Sequence, residues 1–379
     1  MKKTKRRTSE IVMETGEHAA GQPALQHQVV FMGTPDFASG ILEALIQSEY
    51  HVRAVFTQPD RPKGRGKGVQ FSPVKETAMR HGIEVYQPVK IRQEENVELL
   101  RRFHPDFIVV AAFGQIIPQA ILDIPAYGCL NVHASLLPAW RGAAPIQWSI
   151  ISGDSETGVT IMKMNAGLDT GDIISQEAVR IRKDETGGSL FDRLMPVGAE
   201  LLLRTMREIE AGRAVPRPQP EKSTTPYASM LTKKSGLVDW TKRADEIERM
   251  IRGLSPWPSA YTFEHGKMLK IWKAEVVRPA TDGEAVSGRE QEKMNPEAVQ
   301  ELCVHKQDTV QQAVLDSRDA AANSVGAGTI VRVTKTELVV QTGCGLLSLL
   351  ELQPEGKKRM AVDAFLRGYR QSEGERLGR

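Results

Sequence analysis

Asn131 and His133 stand two apart at the end of the apolar run 128–132, and a period of two puts both on one face of a strand. An amide donor beside an imidazole is what acyl transfer to an amine needs, one group to hold a developing oxyanion and another to move protons. A single histidine at a strand end is more often a hydrogen-bonded structural residue. The pairing with Asn131 is what shifts the reading toward chemistry. Asp169 is the candidate third member, in the turn 166–172 where Gly167 and Gly171 bracket it between two apolar runs. There it can face His133 and fix its tautomer or steady its charge; it can equally cap its own backbone. Cys129 is adjacent but has no base at a suitable spacing, so it reads as a small buried hydrophobe rather than a nucleophile.

A second segment with chemical character is 58–69, where Arg61, Lys63, Arg65 and Lys67 alternate with Gly64, Gly66 and Gly68. Glycine spacing lets such a loop adapt to a phosphate backbone. A solvated surface loop is the ordinary alternative. Lys233, Lys234, Lys242, Arg243 and 357–359 can extend the same basic track or serve solubility alone.

The elements that must position these residues come from the hydrophobic pattern. Residues 28–33 read as a buried strand, 36–48 as a helix with Phe37, Ile41, Leu42 and Leu45 on one face, and 52–57 as a second strand. That is a βαβ unit, from which parallel strands are expected. Apolar runs at 107–112, 128–132 and 159–164 alternate with helical patterns at 95–103, 143–152 and 189–210, making an open α/β domain over 28–211. Open sheets of this kind bind ligands at the carboxyl ends of their strands, which is where Asn131 and His133 stand. The first turn, Gly33-Thr34-Pro35-Asp36, lacks the later glycines of a dinucleotide fingerprint, so a nicotinamide cofactor is not expected. Pro35 is expected at the first helical position.

Pro216, Pro218, Pro220 and Pro226 punctuate 212–228, which reads as a semi-rigid linker. From 229 to 379 a helical segment at 244–254 precedes short apolar runs at 260–263, 268–277, 328–333, 337–341 and 345–352, the spacing of a small β-barrel. The strand pattern fails between 278 and 327, where a mobile insertion is expected, and the basic start 1–27 reads as a disordered arm.

Bulk properties agree with two domains. The 379 residues exceed the roughly 250–300 at which one core stops growing. With 40% apolar and 26% charged residues the chain is ordinary for a globular protein, and no apolar run approaches the roughly 18 residues of a membrane span. Three scattered cysteines fit neither a disulfide framework nor a zinc site, so a cytosolic chain without metal is expected. A net charge of +3 leaves any nucleic-acid binding to local clusters.

The segments Phe31-Met-Gly-Thr-Pro-Asp-Phe37, Phe56-Thr-Gln-Pro-Asp-Arg-Pro62, Asn131-Val-His133 with Ser135-Leu-Leu-Pro138, Arg141-Gly-Ala-Ala-Pro-Ile-Gln147, Gly158-Val-Thr-Ile-Met162 and Gly167-Leu-Asp-Thr-Gly-Asp172 occur in that order. Asp239-Trp240, Pro256-Trp-Pro258, Lys270-Ile-Trp272 and Leu352-Gln-Pro354 follow. Together they resemble the methionyl-tRNA formyltransferase family. The resemblance implies a Rossmann-like open sheet followed by an OB-like barrel, and formyl transfer from 10-formyltetrahydrofolate to the amino group of initiator methionyl-tRNA. It also implies that Asn131, His133 and Asp169 are catalytic, that Ser135, Leu136, Leu137 and Pro138 line the folate site, and that Arg61, Lys63, Arg65 and Lys67 meet the tRNA. For Leu136 and Leu137, core packing is the competing reading. The expected assembly is a monomer, without membrane, metal or nicotinamide. The rival readings are a formyltransferase or hydrolase acting on a small molecule or on the folate itself, and a non-catalytic RNA-binding barrel.

Overall fold

The computed structural model describes residues 27–62, 69–277 and 325–378. The expected arm except its last residue, His27, together with Lys63, Arg65, Lys67 and all but the last three residues of the expected insertion, lies outside them.

The first unit runs β1 (Gln28–Gly33), α1 (Asp36–Ile46), β2 (His51–Phe56), a small hairpin of β3 (Arg61–Pro62) and β4 (Val69–Gln70), α2 (Pro73–Arg80), β5 (Glu84–Tyr86), α3 (Glu94–Arg102), β6 (Phe107–Ala111), α4 (Gln119–Leu122), β7 (Cys129–His133), α5 (Pro145–Ser152), β8 (Glu156–Lys163), β9 (Asp172–Arg180) and α6 (Gly187–Glu210). Its sheet has the order β5-β2-β1-β6-β7-β8-β9. Strands β5 through β7 are parallel, as expected. β8 and β9 are not: both ladders beyond β7 are antiparallel. The expectation of parallel pairing at 159–164 is corrected there, because an apolar run reports burial and carries no information about strand direction.

Alternation divides the core. Val29 and Phe31 of β1, with Leu130 and Val132 of β7, pack under α1 and α6, whereas Val30 and Met32 face α3 and α4. Each fully buried aliphatic side chain stabilises by roughly 1.5–3 kcal/mol. β7 is therefore anchored through Leu130 and Val132, leaving its other face, with Cys129, Asn131 and His133, to carry polar groups. Helix α6 begins two residues before its apolar pattern because Thr186 and Ser189 form a reciprocal cap. Pro35 stands one position ahead of α1, whose first residue is Asp36.

The second unit contains α7 (Ala244–Gly253), β10 (Ala260–Glu264), β11 (Lys267–Val277), β12 (Ile330–Val333), β13 (Leu338–Gln341), β14 (Leu346–Pro354), β15 (Met360–Ala361) and α8 (Val362–Gly368). The antiparallel order is β10-β11-β14-β13-β12, with β15 beside β14. The tail brings the two edges together: Leu377 N donates to Gly328 O just ahead of β12, and Gly378 N donates to Phe263 O on β10, both at 2.8 Å. That closure removes the open strand edges in the way a barrel does. Trp240, Ile247, Ile251, Leu347, Leu349 and Phe365 fill its core.

The two units are tied directly. Ala144 and Leu231 pack on Leu254, Arg252 Nη1 donates to Glu185 O at 2.9 Å, and Gly188 N donates to Ser255 O at 2.8 Å. The segment 212–228 is extended, but it does not stand free. Arg217 and Ile173 exchange both backbone hydrogen bonds at 2.8 Å, Thr225 Oγ1 accepts from Trp140 N at 2.6 Å, and Ala228 O accepts from Ala143 N at 2.8 Å. Prolines remove donors without preventing such anchoring, which is why composition alone read the segment as a spacer.

Candidate functional site

The carboxyl end of β7 delivers Asn131 and His133 side by side, 8% and 6% exposed. Asp169 reaches them from the turn between β8 and β9. Its Oδ1 lies 3.5 Å from Asn131 Nδ2 and 3.8 Å from His133 Nδ1, and its Oδ2 accepts from Gly142 N at 2.9 Å. Of the two readings the sequence left open for Asp169, the geometry brings it to His133. Its backbone has φ 52°, a left-handed conformation that costs a non-glycine residue on the order of 1–3 kcal/mol and persists where surrounding contacts impose it. Gly171 is required two residues later, since a Cβ there would fall 1.9 Å from Lys163 O.

His133 Nε2 lies 3.1 Å from Trp140 O. A carbonyl only accepts, so Nε2 carries hydrogen and donates, and Nδ1 is the nitrogen turned toward the carboxylate. Protonation at Nδ1 creates a cation opposite Asp169, and the pair is suited to receive a proton during a reaction. The Asn131 amide has two donors and only a long contact to Asp169, so it retains capacity to bind an oxyanion.

Of the four residues expected against folate, Ser135 is fully buried and its hydroxyl donates to Ala139 O at 2.6 Å. Leu137 is buried against Met162 and Ile173. Leu136 and Pro138 are partly exposed beside them. Gly158 accommodates Leu136, whose Cδ2 would stand 2.6 Å from a Cβ at that position. Thr160 Oγ1 donates to Ser135 O at 2.7 Å and accepts from Leu137 N at 3.1 Å, while Gln176 Nε2 donates to Leu137 O at 2.9 Å. Thus 135–138 is a fastened loop that offers one leucine and one proline surface.

Burial pushes the Cys129 thiol up to about 12, with the Asp123 carboxylate adding to the effect. The thiolate needed for nucleophilic attack is therefore suppressed. The β3–β4 hairpin follows β2, whose carboxyl end lies at the same edge of the sheet as that of β7, three strand spacings or about 14 Å across. At its foot the Lys75 ammonium, 2.5 Å from Asp60 Oδ2, holds that carboxyl below its ordinary range. Among the described residues there is no cluster of metal-ligating groups and no helix long and apolar enough to cross a membrane.

Residues 27–206 match the formyl transferase family, and 230–370 match the formyl transferase C-terminal domain. A methionyl-tRNA formyltransferase of Agathobacter rectalis is 50% identical over 347 residues, covering 92% of this chain and 98% of that protein. One from Lachnospira eligens is 47% identical over 351 residues, covering 93% and 99%. This chain belongs to the methionyl-tRNA formyltransferase family. Among solved structures, an N-formyltransferase of Helicobacter canadensis in complex with folinic acid and dTDP-3-aminofucose superposes with a TM-score of 0.55 at 16% identity, over 87% of this chain and 100% of that one. The sugar 3N-formyl transferase WlaRD gives 0.55 at 15% identity, over 88% and 99%. At such identity these two speak for a shared fold.

Four further residues shape the cluster around His133 and Asp169 without having stood out in the sequence. Trp140 orients His133 through its carbonyl, and its indole Nε1 donates to Asp154 at 2.6 Å. Gly142 holds Asp169, while Arg141 and Gln219 hold the segment 217–221 against it. Only Arg141 and Gly142 fell in a quoted motif. Their roles depend on contacts to residues 27 to 80 positions away, for which a single sequence has no signal.

Proposed function

We propose that this chain transfers the formyl group of 10-formyltetrahydrofolate to the α-amino group of methionine on initiator methionyl-tRNA, with Asn131, His133 and Asp169 as its catalytic residues. The observation that carries the reading is the convergence of these three side chains at the carboxyl edge of the sheet, in a chain 50% identical to a methionyl-tRNA formyltransferase across 92% of its length.

The methionyl amine attacks the formyl carbon directly, and the buried Cys129 is not required as a covalent carrier. Asn131 donates to the oxygen of the tetrahedral intermediate, where a single such donor is typically worth about 10² to 10³ in turnover. His133 Nδ1 takes the proton that the amine loses on acylation, and Asp169 stabilises the resulting imidazolium. The same proton is then available to the folate nitrogen as its bond to the formyl carbon breaks, so the site ends in the protonation state in which it began.

Leu136 and Pro138 supply an apolar border for the pterin, with 135–138 held in place by Thr160 and Gln176. Arg61, Lys63, Arg65 and Lys67, alternating with glycines in sequence, meet phosphates of the tRNA. In the second unit Lys233, Lys234, Lys242, Lys357 and Lys358 are exposed and extend the track; Arg243 and Arg359 are engaged with Asp245 and Glu351. A substrate of this kind places the protein in the cytosol.

The test is a competition among acceptors. With 10-formyltetrahydrofolate as donor, purified protein should formylate charged initiator tRNA and leave free methionine, a dTDP-linked amino sugar and water essentially untouched. Faster transfer to any of those three would assign the chain to a small-molecule formyltransferase or hydrolase instead.

A further inference from the structure

We infer that Gln219, in the segment joining the two units, is a positioning residue for the formyl transfer: it holds the Asp169 turn by two carbonyls and is itself held by the buried guanidinium of Arg141. The inference rests on the assignment of Asp169 to the catalytic site.

Residues 215–218 and 220–222 are exposed, and Gln219 is the one that turns inward. Its Nε2 donates to Asp169 O at 3.1 Å and to Gly171 O at 2.7 Å. Its Oε1 accepts from Arg141 Nε at 3.1 Å and from Nη2 at 2.9 Å. Arg141 is 7% exposed, and its other donors go to Pro220 O at 2.8 Å and Glu221 O at 3.0 Å. All three acceptors, Gln219 Oε1 among them taking two of the four hydrogen bonds, are neutral, and Arg141 takes part in none of the ion pairs among the described residues. A buried cation satisfied wholly by carbonyl-type oxygens has a fixed place, which makes it a firm anchor for Gln219.

The amide thereby spans two elements with one planar group. Its donor side grips the left-handed Asp169 and the glycine after the next residue; its acceptor side is locked to the loop that follows His133. A displacement of about 1 Å at such a site can cost on the order of 10² in rate, and the Asp169 carboxylate is already 3.8 Å from His133 Nδ1.

Gln219→Glu separates positioning from folding. The carboxylate still accepts from Arg141, now as an ion pair, but loses both donors and faces the Asp169 and Gly171 carbonyls with lone pairs. The variant should keep the wild-type melting temperature to within a few degrees, with KM for tRNA and folate changed less than about threefold. Its kcat should fall at least about tenfold, so the loss shows in kcat and not in KM. Gln219→Ala, which also strands two Arg141 donors, should lose stability as well as kcat. Wild-type kcat in Gln219→Glu, or a loss of activity that merely tracks loss of folded protein, would overturn the inference. Asp169→Ala run in parallel keeps the two claims distinct. If it retains normal turnover, the catalytic assignment itself fails; if it is inactive while Gln219→Glu is normal, only the positioning role fails.

Discussion

Gly142 N donates to Asp169 Oδ2 at 2.9 Å, joining the loop after β7 to the turn before β9. Gly142 has φ 129°, and a Cβ there would stand 2.6 Å from Ala228 O and 2.7 Å from the Tyr227 ring. The position is therefore closed to a side chain by conformation and by space. Because Oδ2 is taken by the backbone, Oδ1 alone faces both Asn131 and His133. One carboxylate oxygen fixes the turn and the other faces the Asn131 and His133 side chains.

Cys129 tests whether the route is direct. With its thiol pushed up to about 12 by burial, and Sγ 3.8 Å from Ile121 O, the residue contributes packing. Cys129→Ala should keep kcat within about threefold of wild type and lower the melting temperature slightly through the small cavity it leaves. Loss of turnover in a fully folded variant would reinstate a thiol intermediate.

Asp154 gives a pH dependence. Burial raises its carboxyl above the usual range, although the Trp140 indole hydrogen bond acts the other way. The folded state then holds this proton more tightly than the unfolded chain, so the contribution to stability is present below the unfolded value, about 3.9, and is lost as pH rises through the folded one. Asp154→Asn can still accept the indole hydrogen bond and does not titrate. Its melting temperature should gain on wild type as pH rises from about 3.5 to neutrality. A difference that stays constant over that range, or shrinks, contradicts the assignment.

The pattern of apolar residues made much of this architecture legible. The first strand was read with its observed bounds, and α3, α5 and α7 to within two residues, because each has one strongly apolar face against a core. β9 was missed: along Asp172–Arg180 only Ile173 is buried, and an edge strand paired on one side need not show clean alternation. The site divides in the same way. Asn131 and His133 were visible as a period-two pair, and Asp169 as the polar residue of a glycine turn. Arg141 and Gln219 act through contacts between distant segments, and Trp140 acts on His133 through its backbone carbonyl, neither of which local pattern encodes.

Arg65 tests the basic loop. Each phosphate contact contributes roughly 0.7–0.9 to the salt slope of binding, so Arg65→Ala should weaken binding of charged initiator tRNA and flatten its dependence on salt by about one contact. Affinity for a folate analogue should be unchanged. A tRNA slope equal to wild type, or a folate defect of similar size, would give the loop another role.

The central claim, that Asn131 and His133 act in the chemical step, is tested most directly by single-turnover formylation of charged initiator tRNA with enzyme in excess and 10-formyltetrahydrofolate saturating. Asn131→Ala and His133→Ala should each lose about 10² to 10³ in that rate while retaining the wild-type melting temperature and tRNA affinity. A single-turnover rate near wild type in either variant would contradict the account.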